Sequence, residues 1–219
     1  MPVIELVVAP DFGAAGAELF RAVAPRTVAL AGGETPRQVY ARLAALDYPW
    51  AATQVFFGDE RCVPPDDVAS NYRMAWETLL SKVPANVHRM PGETCTAAAY
   101  EREIEASFGP GVPRFDLVFL GLGAEGHTAS LFPGDSALEE RERLVVRVAR
   151  PDHSRLTLTL PVLSSARLAV FLVTGAAKRE ALKRLLRGED IPAARVHAER
   201  VVVIADDAAA PPPATGAFR

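Results

Sequence analysis

The residues of this chain with types suited to chemistry stand just beyond four short apolar runs: Gly33 with Thr35, Asp59 with Arg61, His127, and Lys178. His127 follows the run Phe115 to Leu120 and the glycines Gly121, Gly123 and Gly126, with Thr128 and Ser130 just after, where a helix could begin. A lone histidine is more often a hydrogen-bonded core or surface residue than a catalyst. The glycines around it favour the functional reading, because glycine permits tight turns and close backbone approach to a small polar ligand. An imidazole there can take and return a proton near neutral pH. Arg61 can clamp a phosphate or carboxylate through two donors, although a run such as Asp59-Glu60-Arg61 is more often a solvated cluster. Gly32-Gly33-Glu34-Thr35-Pro36 leads into a helix, whose free N–H groups and positive dipole end suit a phosphate. The P-loop lysine and the full dinucleotide glycine pattern are both missing from it. Lys178 falls in the first turn of another helix, where the dipole disfavours a cation; it is either tolerated on the surface or held there for an anion.

Strands must present these groups. Ile4 to Ala9, Thr27 to Ala31, Gln54 to Phe57, Leu168 to Val173 and Val201 to Ile204 read as short strands, and the almost wholly apolar Phe115 to Leu120 as one buried on both faces. Val87 to Met90 is a further short strand. Leu144 to Val148 and Leu156 to Leu160 alternate, as half-buried strands do. Asp11 caps a helix through Val23, and Thr35 caps a second with Pro36 in its first turn. Ser70 or Asn71 caps Tyr72 to Leu80, Thr94 caps a helix through Phe108, and Ala181, Leu182, Leu185 and Leu186 mark another. Strand–helix alternation predicts an α/β fold: a single doubly wound domain, Rossmann-like, with a mainly parallel central sheet flanked by helices on both faces. The four polar turns then share one rim, at the carboxyl ends of the strands. The predicted domain is 1–207, and the Pro- and Ala-rich stretch 208–219 is expected to fray.

The 219 residues suffice for one sizeable core, and 49% apolar with 23% charged is an ordinary globular balance. A net charge of −3 argues against general affinity for nucleic acid, though not against a local cationic pocket. Cys62 and Cys95 lack metal-ligand spacing and are expected as reduced thiols. No apolar run reaches membrane-span length and Met1 to Pro10 does not look like a signal peptide, so a cytoplasmic protein without membrane partners is expected.

Three stretches resemble the signature blocks of 6-phosphogluconolactonases: Leu30 to Pro36, Gly58 to Arg61 with Ser70-Asn71, and Gly121 to Gly134. Arg155 to Thr159 and Val173 to Lys178 resemble two later blocks, in the same order. The resemblance implies hydrolysis of 6-phospho-D-glucono-1,5-lactone, a sugar-phosphate substrate, with no organic cofactor and no obligatory metal; the expected assembly is a monomer or small homo-oligomer. It implies His127 as the catalytic histidine, Arg61 and Lys178 as substrate-binding cations, and Gly32, Gly33 and Thr35 as the phosphate loop. Two positions depart from the pattern: Glu125 stands where Asp is usual, and Glu34 where a small residue is common.

A lactone hydrolase needs a base for water, stabilisation of the carbonyl oxygen and a proton for the leaving ring oxygen. His127 is assigned the first and last tasks, oriented by Glu125 or another carboxylate. The N–H groups of Gly123 to Gly126, or Arg61, are the expected oxyanion donors. Gly33, Thr35, Lys178 and Arg155 are the expected phosphate ligands. The nearest alternative is a glucosamine-6-phosphate deaminase/isomerase, for which Asp59 would be the base. A non-catalytic sugar-phosphate sensor is a second, but the chain has no basic helix-turn-helix of the kind that usually accompanies one. The histidines His88, His127, His153 and His197 are scattered, without metal-site spacing.

Overall fold

The computed structural model describes residues 4–212. In chain order its elements are β1 (Ile4–Val8), α1 (Phe12–Val23), β2 (Thr27–Leu30), α2 (Glu34–Leu43), β3 (Gln54–Phe57), β4 (Asp59–Arg61), α3 (Asn71–Thr78), β5 (Asn86–Val87), α4 (Ala97–Phe108), β6 (Leu117–Gly121), β7 (Val145–Val148), β8 (Arg155–Leu158), α5 (Leu160–Ser164), β9 (Leu168–Val173), α6 (Arg179–Arg187) and β10 (Arg200–Ala205). None of the described helices is long and apolar enough to cross a membrane.

A seven-stranded sheet runs in the order β1-β10-β9-β6-β2-β3-β5, and every pairing in it is parallel. Its central strands are buried along their length, with Leu117 to Leu120 and Leu168 to Val173 at 3% exposure or less. That burial explains why they read as unbroken apolar runs rather than alternating ones. From β2 the chain proceeds outward to β3 and β5, whereas from β6 it proceeds the other way to β9 and β10. The winding direction therefore reverses between β2 and β6. In open α/β sheets that reversal opens a crevice at the carboxyl ends.

Two buried tyrosines fix the strand ends that border the crevice. The Tyr40 hydroxyl, from α2, donates to the Ala31 carbonyl at 2.9 Å and accepts from the Ala31 N–H at 2.8 Å. The Tyr100 hydroxyl, from α4, accepts from the Phe57 N–H at 2.9 Å. Burial pushes both phenols far above their ordinary range, so both stay protonated and hold the backbone as neutral groups.

The structure corrects the expected layout in several places. Asp59–Arg61 is not a turn but a strand of a second, three-stranded sheet, β4-β8-β7, paired antiparallel. The chain passes from β3 into this sheet across Gly58 alone. Thr157 and Thr159, expected on a solvent face, are fully buried, because the small sheet lies against the site rather than in water. The Thr157 hydroxyl accepts from the Ser130 N–H at 3.3 Å and donates to the Leu158 carbonyl at 3.0 Å. No helix follows His127; the chain passes through Thr128 to Leu131, an antiparallel bridge, to a 3-10 turn at Ser136–Glu139. The cap of α2 is Gly33, not Thr35, and that of α4 is Thr96, not Thr94. Ala209, assigned to the fraying tail, is buried and its N–H donates to Asp206 at 2.7 Å; residues 213–219 of that tail lie outside the described residues.

The cysteines are not free thiols. Cys62 and Cys95 form a disulfide with a Cα–Cα distance of 5.1 Å. Their separation of 33 residues follows no spacing rule, and it is the fold that seats the turn at Pro91 to Cys95 on the end of β4. Gly92 makes that seating possible: a Cβ there would stand 2.5 Å from the Arg61 carbonyl and 2.7 Å from that of Val63.

Candidate active site

A cavity of about 280 Å³ opens at the winding reversal. Gly32, Gly33, Thr35, Asp59, Arg61, His127, Arg155 and Lys178 all line it. Glu125 does not line the cavity and stands behind His127, and of the expected oxyanion donors Ala124 and Gly126 do not line it either. Its volume lies near the small end of the usual range for ligand pockets, roughly 300–1,000 Å³.

His127 is held by its own loop. Its carbonyl accepts from the Gly123 N–H at 2.8 Å, and the Gly126 N–H donates back to the Gly123 carbonyl at 2.9 Å. The ring lies flat on Gly123, where a Cβ would stand 2.0 Å from Nδ1, so any side chain at that position would displace the imidazole. The Phe132 ring covers it with centroids 4.5 Å apart. Nδ1 is buried and lies 2.9 Å from Glu125 Oε1, a close ion-pair contact that is out of line for a hydrogen bond. Burial pushes the Glu125 carboxyl up, but its own backbone N–H, the imidazole and the Lys178 charge together outweigh that and hold it below the ordinary range. Glu125 thus reaches the ring despite its extra methylene. The two glycine N–H groups just described are spent inside the turn, which removes them as oxyanion donors.

The cations come from three elements. Arg61 and Arg155 are direct partners in the β4–β8 register. Like charges placed opposite one another destabilise a ladder, so this pairing needs a compensating anion or strong local bracing. One Arg61 guanidinium nitrogen, Nη1, donates to Asn71 Oδ1 at 2.6 Å and to the Ala69 carbonyl at 3.0 Å. Arg155 Nη2 donates to Asp152 at 2.6 Å, while its buried Nε has no partner. Lys178 ends a 3-10 turn, Ala176–Lys178, and occupies the N-cap position of α6. Its N–H donates to the Gly175 carbonyl at 3.0 Å, but among the described residues its ammonium makes no hydrogen bond or ion pair.

Opposite the cations, α2 aims its N-terminus at the cavity, with Gly33 as N-cap. The Thr35 hydroxyl shares a 2.8 Å hydrogen bond with that of Thr174, which ties the loop after β2 to the loop after β9. Glu34 also lines the cavity, but its carboxylate accepts from Arg37 Nε at 3.2 Å and is 84% exposed. Asp59 is buried; its Oδ2 accepts from Ser130 Oγ at 2.6 Å and its Oδ1 from Asn71 Nδ2 at 3.2 Å. With both oxygens engaged by fixed donors, Asp59 is poorly placed to serve as a mobile base.

Asn71 and Thr174 line the cavity although neither was expected to. Both lie inside the quoted sequence blocks, and Asn71 was legible only as a helix cap. Its amide fills the space above Gly32, where a Cβ would stand 1.8 Å from Oδ1.

Fold and site together define a doubly wound α/β protein with a cationic, glycine-lined pocket and one imidazole at its winding reversal. The family model for glucosamine-6-phosphate isomerases/6-phosphogluconolactonase matches residues 8–204, and the chain belongs to that family. It is 42% identical over 185 residues to a 6-phosphogluconolactonase of Synechocystis sp., covering 78% of this chain and 77% of the relative. The solved 6-phosphogluconolactonase of Thermotoga maritima superposes with a TM-score of 0.82 at 32% identity, over 93% of this chain and 99% of that one. That of Trypanosoma cruzi gives 0.84 at 29% identity, over 95% and 96%.

Proposed function

We propose that this chain hydrolyses 6-phospho-D-glucono-1,5-lactone to 6-phospho-D-gluconate, the second step of the oxidative pentose phosphate pathway. One observation carries the reading: a lone imidazole, an open helix N-terminus and three cations from separate elements line a single small cavity.

The mechanism follows from which donors are free. Nδ1 of His127 is buried against Gly123 and Glu125, which leaves Nε2 for the substrate side. Nε2 takes a proton from water as the oxygen adds to C1 of the lactone. The imidazolium that forms is stabilised by the Glu125 carboxylate, 2.9 Å from Nδ1. Collapse of the tetrahedral intermediate breaks the bond from C1 to the ring oxygen, which takes the proton back from Nε2 as it leaves.

The phosphate, with a charge of about −1.5 to −2, docks on the α2 N-terminus at Gly33 and Thr35 and on Lys178, with Arg61 and Arg155 alongside. Holding this remote group fixes C1 over the imidazole, so binding energy becomes orientation.

The test is hydrolysis of enzymatically generated 6-phosphogluconolactone, coupled to detection of 6-phosphogluconate and corrected for spontaneous opening. Turnover well above that background is expected. Ammonium release from glucosamine 6-phosphate would move the chain to the deaminase branch. Thermal stabilisation by sugar phosphates without turnover would make it a sensor.

A further inference from the structure

Between the cavity-facing Asp59 and Arg61, the β4 strand turns Glu60 to its other face, away from the reaction. Glu60 is 2% exposed, and among the described residues no cation pairs with it. Its carboxylate instead meets four donors. Oε1 accepts from the N–H groups of Arg61 at 2.8 Å and Asn71 at 2.7 Å. Oε2 accepts from the Tyr72 N–H at 2.8 Å and Ser70 Oγ at 3.0 Å.

These bonds join the two ends of one loop. It leaves β4 at Arg61, passes Pro64, Pro65, Asp66 and Asp67, and returns at Ser70 to start α3. Both of its inner ends, Arg61 and Asn71, line the cavity, and Arg61 Nη1 donates to Asn71 Oδ1 at 2.6 Å. Asn71 in turn donates through Nδ2 to the Asp59 carbonyl at 2.9 Å. The Arg61 guanidinium therefore points where it does because residue 71 is held beside residue 61, and the group spanning the two backbones is the Glu60 carboxylate.

The donor set also fixes the form of the side chain. Three of the four donors are backbone N–H groups, which cannot turn to accept. A neutral amide in the same place would set an N–H₂ against one of them. Burial pushes the Glu60 carboxyl up, against the lowering pull of the Tyr72, Asn71 and Arg61 N–H groups and the Ser70 hydroxyl.

We infer that Glu60 is a positioning residue: its buried carboxylate closes the 61–72 loop and so presents Arg61 and Asn71 to the substrate. The inference rests on the reading above that Arg61 grips the sugar phosphate. It goes beyond that reading in giving affinity to a residue that never touches substrate.

The experiment is a double-mutant cycle on the full chain, with KM and kcat measured for 6-phosphogluconolactone in E60Q, R61A and E60Q/R61A. Assays run well below each variant's melting temperature. E60Q is expected to raise KM roughly tenfold, the scale of one lost hydrogen bond to a charged group, and to leave kcat within about twofold. In the R61A background the same change should add little, because the group it positions is already gone. A fully additive cycle, or an E60Q loss confined to kcat, would mean that Glu60 only supports the fold and would overturn the inference. Raised KM in R61A beside wild-type KM in E60Q would overturn it while sparing the phosphate reading. Unchanged KM in R61A would bring down both. If E60Q does not fold, E60D keeps the charge but loses reach, and the same KM-against-kcat split decides.

Discussion

The two ends of the central sheet carry similar charges and use them oppositely. At the amino ends of the strands lies the larger hollow, about 650 Å³, bordered by Arg26, Asp116, Arg167, Glu199 and Arg200. There the acids are met. Asp116 accepts from the Arg26 and Thr27 N–H groups and the Thr27 hydroxyl at 2.9 to 3.1 Å, and stands 3.4 Å from Arg167 Nε. Arg114 pairs with Glu199, and Arg200 with Glu5. At the carboxyl ends, in less than half that volume, Lys178 has no partner among the described residues, Arg155 Nε is buried without one, and Arg61 faces Arg155 across a ladder. Pocket size does not mark the site here. Unspent donors do, because leaving them unpaired costs stability unless a ligand collects them.

The sharpest way to break this contrast is to remove His127, the group at the carboxyl end proposed above to act on a proton. His127→Ala should lower kcat by about 10²–10⁴-fold, the range for lost general base action, with KM changed far less because the phosphate ligands remain. Steady-state kinetics corrected for spontaneous opening measures this. Turnover close to wild type would take the imidazole out of the mechanism and leave the cavity as a binding site.

A self-repelling end should also need bracing that the opposite end does not. The Cys62–Cys95 disulfide supplies it, since Cys62 follows Arg61 directly and its N–H donates to the carbonyl of Ser154, beside Arg155. Replacing both cysteines by serine should cost about 2–4 kcal/mol, and hence lower Tm by roughly 5–15 °C. Reductant should bring the wild type down to the same Tm and leave the double variant where it is. A wild-type Tm indifferent to reductant would show that the bond braces nothing.

How far the sequence reveals this arrangement depends on how local each signal is. The strands behind Gly32 and Gly121 are legible because burial on both faces leaves continuous apolar runs that end at these glycines. His127 is legible through Gly121, Gly123 and Gly126, and the ring packed on Gly123 explains one of them. The second sheet is not. Asp59-Glu60-Arg61 has neither apolar residues nor β-branching, and only pairing with Arg155 to Thr157, almost a hundred residues on, makes it a strand. Thr35 reads as a cap, yet its hydroxyl goes to Thr174 across the crevice and leaves the capping position to Gly33. Asn71 and the disulfide escape for a like reason: each depends on a partner that no periodicity points to. What the sequence hides is the tertiary contact that overrides a local preference.

The finest discrimination between the two ends comes from removing one cation at each. Lys178 sits at the N-terminus of α6, where the dipole opposes it, so Lys178→Ala should leave stability unchanged or slightly raised. Its cost should fall on substrate instead, as a KM raised roughly 10- to 100-fold, the worth of a hydrogen bond to a charged group. Arg167 is 57% exposed and only edges toward Asp116, so Arg167→Ala should cost at most about 1 kcal/mol of stability and nothing in KM. Thermal unfolding and steady-state kinetics on the two variants should therefore give crossed results, one moving binding and the other, faintly, the fold. If Lys178→Ala destabilised the protein and spared KM, its charge would belong to the fold as Arg167 does. The two ends would then differ in shape alone.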